Sequence, residues 1–597
     1  KPIKELLVPS IMNSVWKHNI EIANKYNKPG EFTAFCSYEW TSMPQSQNMH
    51  RNVFFKDCAK VPEAPFSAID SDHPEDLWNW MDGQRKVGNE ALAISHNANL
   101  SNGIMFPIEV DSKGKPIDAA WAQQRMTNEP LTEIKQVKGT SETHPALSPN
   151  DEFAGFEIMS YLIGIDNSFS KLYGSYTRQA YQNGLAMQDT RGYNPYKFGV
   201  VGAGDSHNTA VNYSQSNYFG DHAFVDPTPE VRLSGKVASG MNVLETGTSG
   251  LAGVWAEENT RESLFEAMQR REVFGTSGVR IKLRMFGGWD YDPGMMSKED
   301  WVQVAYAGGV PMGGDLPPAE GKTPSFVVWA MKDPVDGNLD RIQIVKGWTK
   351  DGQIFEKIFD VAWSGQRQPD PATGKLPPVG NSVDVNNATY SNDIGAVELK
   401  TVWTDPEFDP SQHAFYYARA IQIPTPRWST FDAKKLGIAP PSNAPATIQE
   451  RAWSTPVWYT PTEAELAKAK PGLKVADLLK DGAVALKDDE LKKLVVGKNL
   501  KIRNTVTGET ANVLFGEDGK RIITELNEQP AKGGDLLQVM HSVSNSSASY
   551  VIKNDHITTT IEETPFELTV YQHGGKYVAA RSNEFGHANY EVEHIAQ

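Results

Sequence analysis

The apolar run Phe198-Gly199-Val200-Val201 leads directly into Gly202-Ala203-Gly204-Asp205-Ser206-His207. It reads as a strand that delivers an Asp and a His, two residues apart, onto one side of its C-terminal end. Upstream, Glu39 in Ser37-Tyr38-Glu39-Trp40, His50 in Met49-His50-Arg51-Asn52 and His96 in Ala93-Ile94-Ser95-His96-Asn97 each stand at or beside a similar β-like run. Carboxylate and imidazole donors at strand ends suit a hard-to-borderline divalent cation. A chain built this way is held to an α/β layer or barrel, where function collects at the C-terminal ends of strands.

Size and charge narrow the class. At 597 residues the chain exceeds one ordinary core, so about two to four domains are expected. Its 74 acidic against 58 basic side chains give a formal net charge of -16. That balance argues against a general nucleic-acid surface, which needs a basic stripe to displace counterions. No apolar run approaches the roughly 18 residues of a membrane span, and the N-terminus shows no charged-then-apolar signal pattern. Cys36 and Cys58 flank the Glu39/His50 segment and either form a disulfide or stay as two buried thiols. Neither belongs to a Cys-x-x-Cys or Cys/His array, which argues against a thiolate zinc site.

Three units are expected along the chain. Over 1–278, short strands at Thr33–Tyr38, Asn52–Phe55, Ala91–Ser95, Leu131–Val137, Gly155–Met159 and Phe198–Ala203 alternate with helices at Ile11–Tyr26 and Tyr173–Leu185. A further helix follows Asn259-Thr260, either of which can cap it, with Glu262 in its first turn. Over 279–460, alternating runs at Ser325–Met331, Arg341–Gly347, Val397–Trp403 and Phe415–Ile423, separated by long Gly/Pro loops, predict an antiparallel β-sandwich. Over 461–597 a small α+β domain is expected. It has a helix from Asp488 that Gly497 stops, strands at 499–506 and 511–515, turns at Thr507-Gly508 and Asp518-Gly519, and a hairpin near Gly574-Gly575.

A lone strand-end histidine is ordinarily a hydrogen-bonded structural residue. Glu39, His50 eleven residues on, His96, and Asp205-x-His207 all fall within one α/β unit, and together they predict a metal site. Their order resembles that of the polymerase-and-histidinol-phosphatase (PHP) superfamily, with Ser95-His96-Asn97 in place of the usual Ala-His-Pro. More closely, several long motifs resemble the bacterial PHP-like group catalogued as domain of unknown function 3604. These are Ser37-Tyr38-Glu39-Trp40-Thr41-Ser42, His96-Asn97-Ala98-Asn99-Leu100-Ser101, Lys138-Gly139-Thr140-Ser141-Glu142-Thr143-His144-Pro145, Trp255-Ala256-Glu257-Glu258-Asn259-Thr260 and Glu450-Arg451-Ala452-Trp453-Ser454. The resemblance covers residues 1–460.

The resemblance implies a distorted (β/α)7 barrel, two or three divalent ions (Zn, Mn or Fe) and hydrolytic activity. Glu39 would be the bridging carboxylate, with His50, His96, Asp205 and His207 as further ligands. Paired cations about 3.5–4 Å apart lower the pKa of a shared water and clamp the oxygen on which charge builds; Asp205 is the candidate proton acceptor for that water. PHP proteins open on a His-x-His strand, soon followed by an Asp-His element. This chain starts at Lys1-Pro2-Ile3-Lys4, in what resembles mid-barrel, so the opening ligands are expected in an upstream segment. His18, the only earlier histidine, reads as a solvated helix residue.

Lys138-Gly139-Thr140-Ser141 offers a cation, backbone N–H groups and two hydroxyls, which make either an anion cradle or a polar turn bonding its own backbone. His144 is a candidate ligand or a proton donor to the leaving group. Arg51 and Arg125 are candidate anion binders, although exposure is the default for each, and Trp40 is a candidate pocket wall. Two function classes stand. One is a metal-dependent hydrolase of a small-molecule ester, led by phosphoesters with carboxyl esters or carbamates as alternatives. The other is a degenerate barrel acting in binding or assembly. Resemblance points to a bacterial, periplasmic or secreted protein.

Overall fold

The computed structural model describes residues 8–595, apart from 160, 164–167, 209, 239–240, 372–373, 470, 528–546, 562–563 and 583. Helix α1 (Pro9–Tyr26) starts on a proline, whose missing N–H costs nothing in a first turn, and buries Trp16 and Ala23. His18 lies on its solvent face, 3.7 Å from Glu21. Six strands then form one sheet: β1 (Cys36–Trp40), β2 (Arg51–Phe55), β3 (Ala91–Ser95), β4 (Leu131–Gln136), β5 (Gly139–Thr140) and β6 (Gly199–Gly202). Their order is β1-β2-β3-β4-β5, with β6 also on β4. β1–β2 and β2–β3 are antiparallel, whereas β3–β4 and β4–β6 are parallel. Strands β1, β3, β4 and β6 therefore share one direction and β2 opposes them. The C-terminal ends of the four and the start of the fifth fall on a single edge.

Three helices of this unit, α2 (Pro74–Lys86), α3 (Ala119–Asn128) and α4 (Thr177–Arg191), cover the sheet. The first two escape the sequence pattern. α2 keeps only Leu77, Trp78 and Met81 as buried large apolar residues among polar neighbours, and α3 is ten residues long. The strand expected at Gly155–Met159 is irregular. Glu157 sits in the left-handed region at φ 45°, which turns its carboxylate to Arg427 at 2.8 Å.

Two antiparallel sheets follow. A seven-stranded sheet orders Gln353–Trp363, Leu339–Lys350, Ala414–Gln422, Arg451–Ser454, Val273–Thr276 and Leu251–Val254, with Val457–Tyr459 also on Ala414–Gln422. A four-stranded sheet orders Gly309–Pro311, Lys282–Gly288, Ser325–Met331 and Glu398–Thr404. Leu283, Met285, Phe326 and Val328 of the second pack on Ile342, Ile344, Tyr416 and Ala418 of the first. The boundary expected at 278 falls inside this assembly, because Leu251–Val254 and Val273–Thr276 hydrogen-bond into the larger sheet.

The first sheet and the larger antiparallel sheet also share a core, in which Ile134, Phe198 and Val200 meet Phe415, Tyr417 and Trp453. Strand β6 touches Val273–Thr276 through glycines. A Cβ on Gly202 would stand 2.5 Å from the Thr276 carbonyl oxygen, and one on Gly275 would stand 2.8 Å from the Gly202 nitrogen. Buried charges fasten the same junction. Arg178 of α4 pairs with Glu142 at 2.6 Å and Asp151 at 2.9 Å, while Arg419 pairs with Asp151 at 2.7 Å and Glu142 at 3.1 Å.

Cys36 and Cys58 are joined in a disulfide, so of the two alternatives the pair is realised. The antiparallel register sets Cys36 opposite Phe55, which brings the two cysteines within bonding reach across the β1–β2 pair. The bridge closes a loop with a sequence separation of 22, and a loop of that size stabilises by about 3 kcal/mol in the chain-entropy account. Cys36→Ser/Cys58→Ser is accordingly expected to unfold at lower denaturant by about that amount, with the loss matched by reducing the native protein. An unchanged midpoint would show that the bridge adds nothing.

The last unit differs from the α+β expectation. Strands Thr564–His573, His556–Ile561, Ser547–Lys553, Lys520–Asn527, Thr510–Phe515, Lys498–Asn504, Tyr590–His594 and Lys576–Arg581 pair in that order, and the last pairs back onto the first. They make a closed antiparallel ring of eight, in which each strand pairs with a neighbour on either side. Helix Asp488–Val495 packs Leu491, Leu494 and Val495 against its interior. The expected turns at Thr507-Gly508 and Asp518-Gly519 connect ring strands. Among the described residues, no helix is long and apolar enough to cross a membrane.

Candidate metal centre

Strand direction gathers the first three donors. Glu39 lies near the C-terminal end of β1, His50 immediately precedes β2, and His96 immediately follows β3. Glu39 Oε1 stands 2.7 Å from His50 Nδ1 and 3.1 Å from His96 Nε2. The two rings meet edge to face at 5.2 Å. One donor atom from each residue falls within 4.8 Å of the others. Burial works against the charge on Glu39, but hydrogen bonds with His50 and His96 hold its carboxyl well below the usual range. Burial pulls His50 down. Burial also opposes protonation of His96, yet its bond to Glu39 and the charges of Glu133 and Asp205 raise it.

Asp205 follows β6 in the left-handed region at φ 52° and joins the same edge. Its Oδ2 accepts from Lys138 Nζ at 2.6 Å, Gln136 Nε2 at 2.7 Å and Asn97 Nδ2 at 3.3 Å. Burial disfavours its charge, but Lys138 more than compensates and lowers its pKa. Glu133, in the middle of β4, receives the Asn97 N–H at 3.3 Å. Burial first, and then the Asp205 charge, push it up to about 7. Sequence reasoning passed over Glu133 because β4 reads as plain core strand.

His207 belongs to a second cluster, with Asp221 and His222. Its Nδ1 lies 3.5 Å from Asp221 Oδ1, and His222 Nδ1 lies 2.9 Å from Asp221 Oδ2. The two imidazoles stack at 4.0 Å, and the backbones of His207 and His222 form a single parallel bridge. Both Asp221 oxygens and His222 Nδ1 are buried without an aligned hydrogen bond. Burial disfavours the Asp221 charge, yet the nearby imidazoles of His207 and His222 and the Lys138 cation depress its pKa. Lys138 links the clusters, 2.6 Å from Asp205 and 3.6 Å from Asp221. The five expected ligands thus divide into Glu39, His50 and His96, with Asp205 beside them, and His207 beyond Lys138.

The other candidates take structural places. Residues 138–141 turn the chain back along β4, with Gly139 and Thr140 paired to Gln136 and Lys135. Thr140 Oγ1 donates to the Ile134 carbonyl at 3.2 Å, Ser141 Oγ donates to Asn99 at 3.0 Å, and Lys138 faces Asp205 rather than an open cradle. Arg51 is buried on Glu129 at 2.7 Å. Trp40 is fully buried in the core with Trp16, Val53 and Phe55, so it walls no pocket. Arg125 is enclosed by the rings of Trp78, Phe106, Trp121 and Tyr196. His144 accepts the Ala146 N–H on Nδ1 at 3.2 Å, and burial lowers its pKa to about 4. It is neutral at pH 7 and outside both histidine–carboxylate clusters.

No curated protein matches the chain. The family described as "Protein of unknown function (DUF3604)" matches residues 4–461, a span that takes in both clusters and both antiparallel sheets and stops where the C-terminal unit begins. The chain therefore belongs to the DUF3604 family.

Proposed function

We propose that the edge of the first sheet is the active site of a metal-dependent hydrolase in a PHP-type α/β unit, acting on an ester and most readily a phosphoester. The observation that carries this reading is the convergence of Glu39, His50 and His96 within 4.8 Å. Two imidazoles and one carboxylate suit Zn, Mn or Fe, and these three residues would hold the ion. When bound, such an ion supplies Lewis acidity and lowers the pKa of a water.

The chain's own residues supply the rest. Asp205, ionised and fixed by Lys138, Gln136 and Asn97, is placed to accept a proton. Glu133, near pKa 7, suits exchange of a proton at neutral pH. His207 and His222, held by Asp221, offer a second donor set beside Lys138. The disulfide is in keeping with an oxidising compartment, so we place the protein in the periplasm or outside the cell.

One observation favours the alternative of a binding protein with a reduced site. The Lys138 ammonium lies between Asp205 and Asp221, where it neutralises carboxylates that would otherwise attract a further cation. Metal analysis of the purified protein, with turnover on aryl phosphate, sulfate, carboxyl ester and carbamate panels, separates the readings. The hydrolase reading expects bound metal and phosphate-ester turnover that a chelator abolishes. Protein without metal, or turnover indifferent to chelation, would overturn it.

A further inference from the structure

Inward positions of the C-terminal ring are apolar by alternation. Val513 and Phe515 on one strand face inward with Leu500 and Ile502 on the next, and Ile557 faces inward three strands from Thr510–Phe515. Arg521 interrupts this lining. It stands directly opposite Phe515 in the strand register and is 1% exposed. Its Nε donates to Thr559 Oγ1 at 3.3 Å, while Nη1 and Nη2 are buried with no hydrogen-bond partner. Among the described residues no carboxylate bonds this guanidinium, and a buried guanidinium left so is among the costliest arrangements a core can hold. Burial lowers its pKa only to about 10, so it remains a cation at neutral pH.

Space lies beside that cation. A cavity partly open to solvent lies there, lined by Arg521, Ile502, Val513, Phe515, Ile557 and Leu568, with Glu567 and Arg581 also on its wall. Eight-stranded barrels are of the size that either fills with side chains or encloses one small ligand. Two parallel N–H donors at the wall of an apolar pocket match the two oxygens of a carboxylate. The mostly apolar wall, with the Glu567 carboxylate on it, also disfavours a compact, heavily hydrated dianion such as phosphate.

We infer that the C-terminal barrel binds a small amphipathic monocarboxylate, with the carboxylate on Nη1 and Nη2 of Arg521 and the apolar body against Ile502, Val513, Phe515, Ile557 and Leu568. The site lies outside the family match to residues 4–461, and nothing in the inference depends on the metal centre being active.

Calorimetric titration of the whole protein with octanoate, 1-octanol and inorganic phosphate tests it. Octanoate is expected to bind saturably, octanol more weakly, and phosphate not at all. Arg521→Met is expected to weaken octanoate by about 30-fold or more, the worth of a charge-assisted pair, while raising the melting temperature of the ligand-free protein by removing an unpaired buried charge. A merely structural arginine would lower that temperature when replaced. Leu568→Trp, which fills the pocket and keeps the cation, is expected to abolish binding as well. The inference fails if the native protein does not bind octanoate saturably, if Arg521→Met binds it unchanged, or if phosphate binds through Arg521.

Discussion

Glu39→Gln is expected to lower metal affinity, and with it ester turnover, by more than about 100-fold. Residues that only orient a metal ligand already cost about 10–100-fold when replaced, and Glu39 is the one carboxylate shared by His50 and His96. The amide keeps the size and one acceptor oxygen but loses the charge, so the fold should survive with an unchanged near-ultraviolet spectrum. Metal content after dialysis and kcat/KM measured on the same sample check the expectation. Retained metal with lost turnover would move Glu39 from ion binding to proton transfer. Retention of both would remove this cluster from the chemistry.

Asp151→Ala is expected to destabilise the protein by about 3–5 kcal/mol, the usual cost of breaking a buried ion pair from one side. Asp151 meets Arg178 at 2.9 Å and Arg419 at 2.7 Å, so its loss leaves two buried cations to share Glu142, with Glu356 3.5 Å from Arg178 alone. Burial alone would raise the Asp151 pKa, but the two arginines hold it far below the ordinary aspartate value. The sign for pH follows. A depressed carboxylate contributes stability that is complete above its unfolded pKa, near 3.9, and is lost as pH falls below that value. Urea midpoints at pH 7 and pH 3 should therefore differ less for Asp151→Ala than for the native protein. In Asp151→Ala/Arg419→Met the second change removes a charge already left uncompensated, so the pair should cost less than the two single losses together.

The apolar runs that became β3 and β6 were legible because each is continuous, short and buried, and His96 and Asp205 follow them. Glu39 and His50 were legible for the same reason. Asp221 and His222 were not, since they sit on irregular chain tied to His207 by one bridge, and no local periodicity marks a residue brought in by tertiary closure. Arg51 and Trp40 misled by their proximity to the ligands in sequence. The pleat turns alternate residues to opposite faces, so neighbours of a ligand face the core. Closure of the C-terminal ring was equally hidden. Hairpins announce themselves through Gly-containing turns, whereas the pairing of Lys498–Asn504 with Tyr590–His594 joins segments distant in sequence and leaves no local sign.

The glycine contact between Gly202 and Gly275 sets what can be inherited or transplanted separately. Asp205 is only three residues past Gly202, so the position of a catalytic candidate is registered against the backbone of Val273–Thr276 and, through it, against strands as far on as Ala414–Gln422. A fragment ending near 278 would carry every donor of both clusters yet lack the surface that aligns them. The strands through Tyr459 thus share one framework with the donors, whereas the ring beyond meets that framework through contacts such as Asn504 with Gln353 and Asn589 with Asp351, away from both clusters.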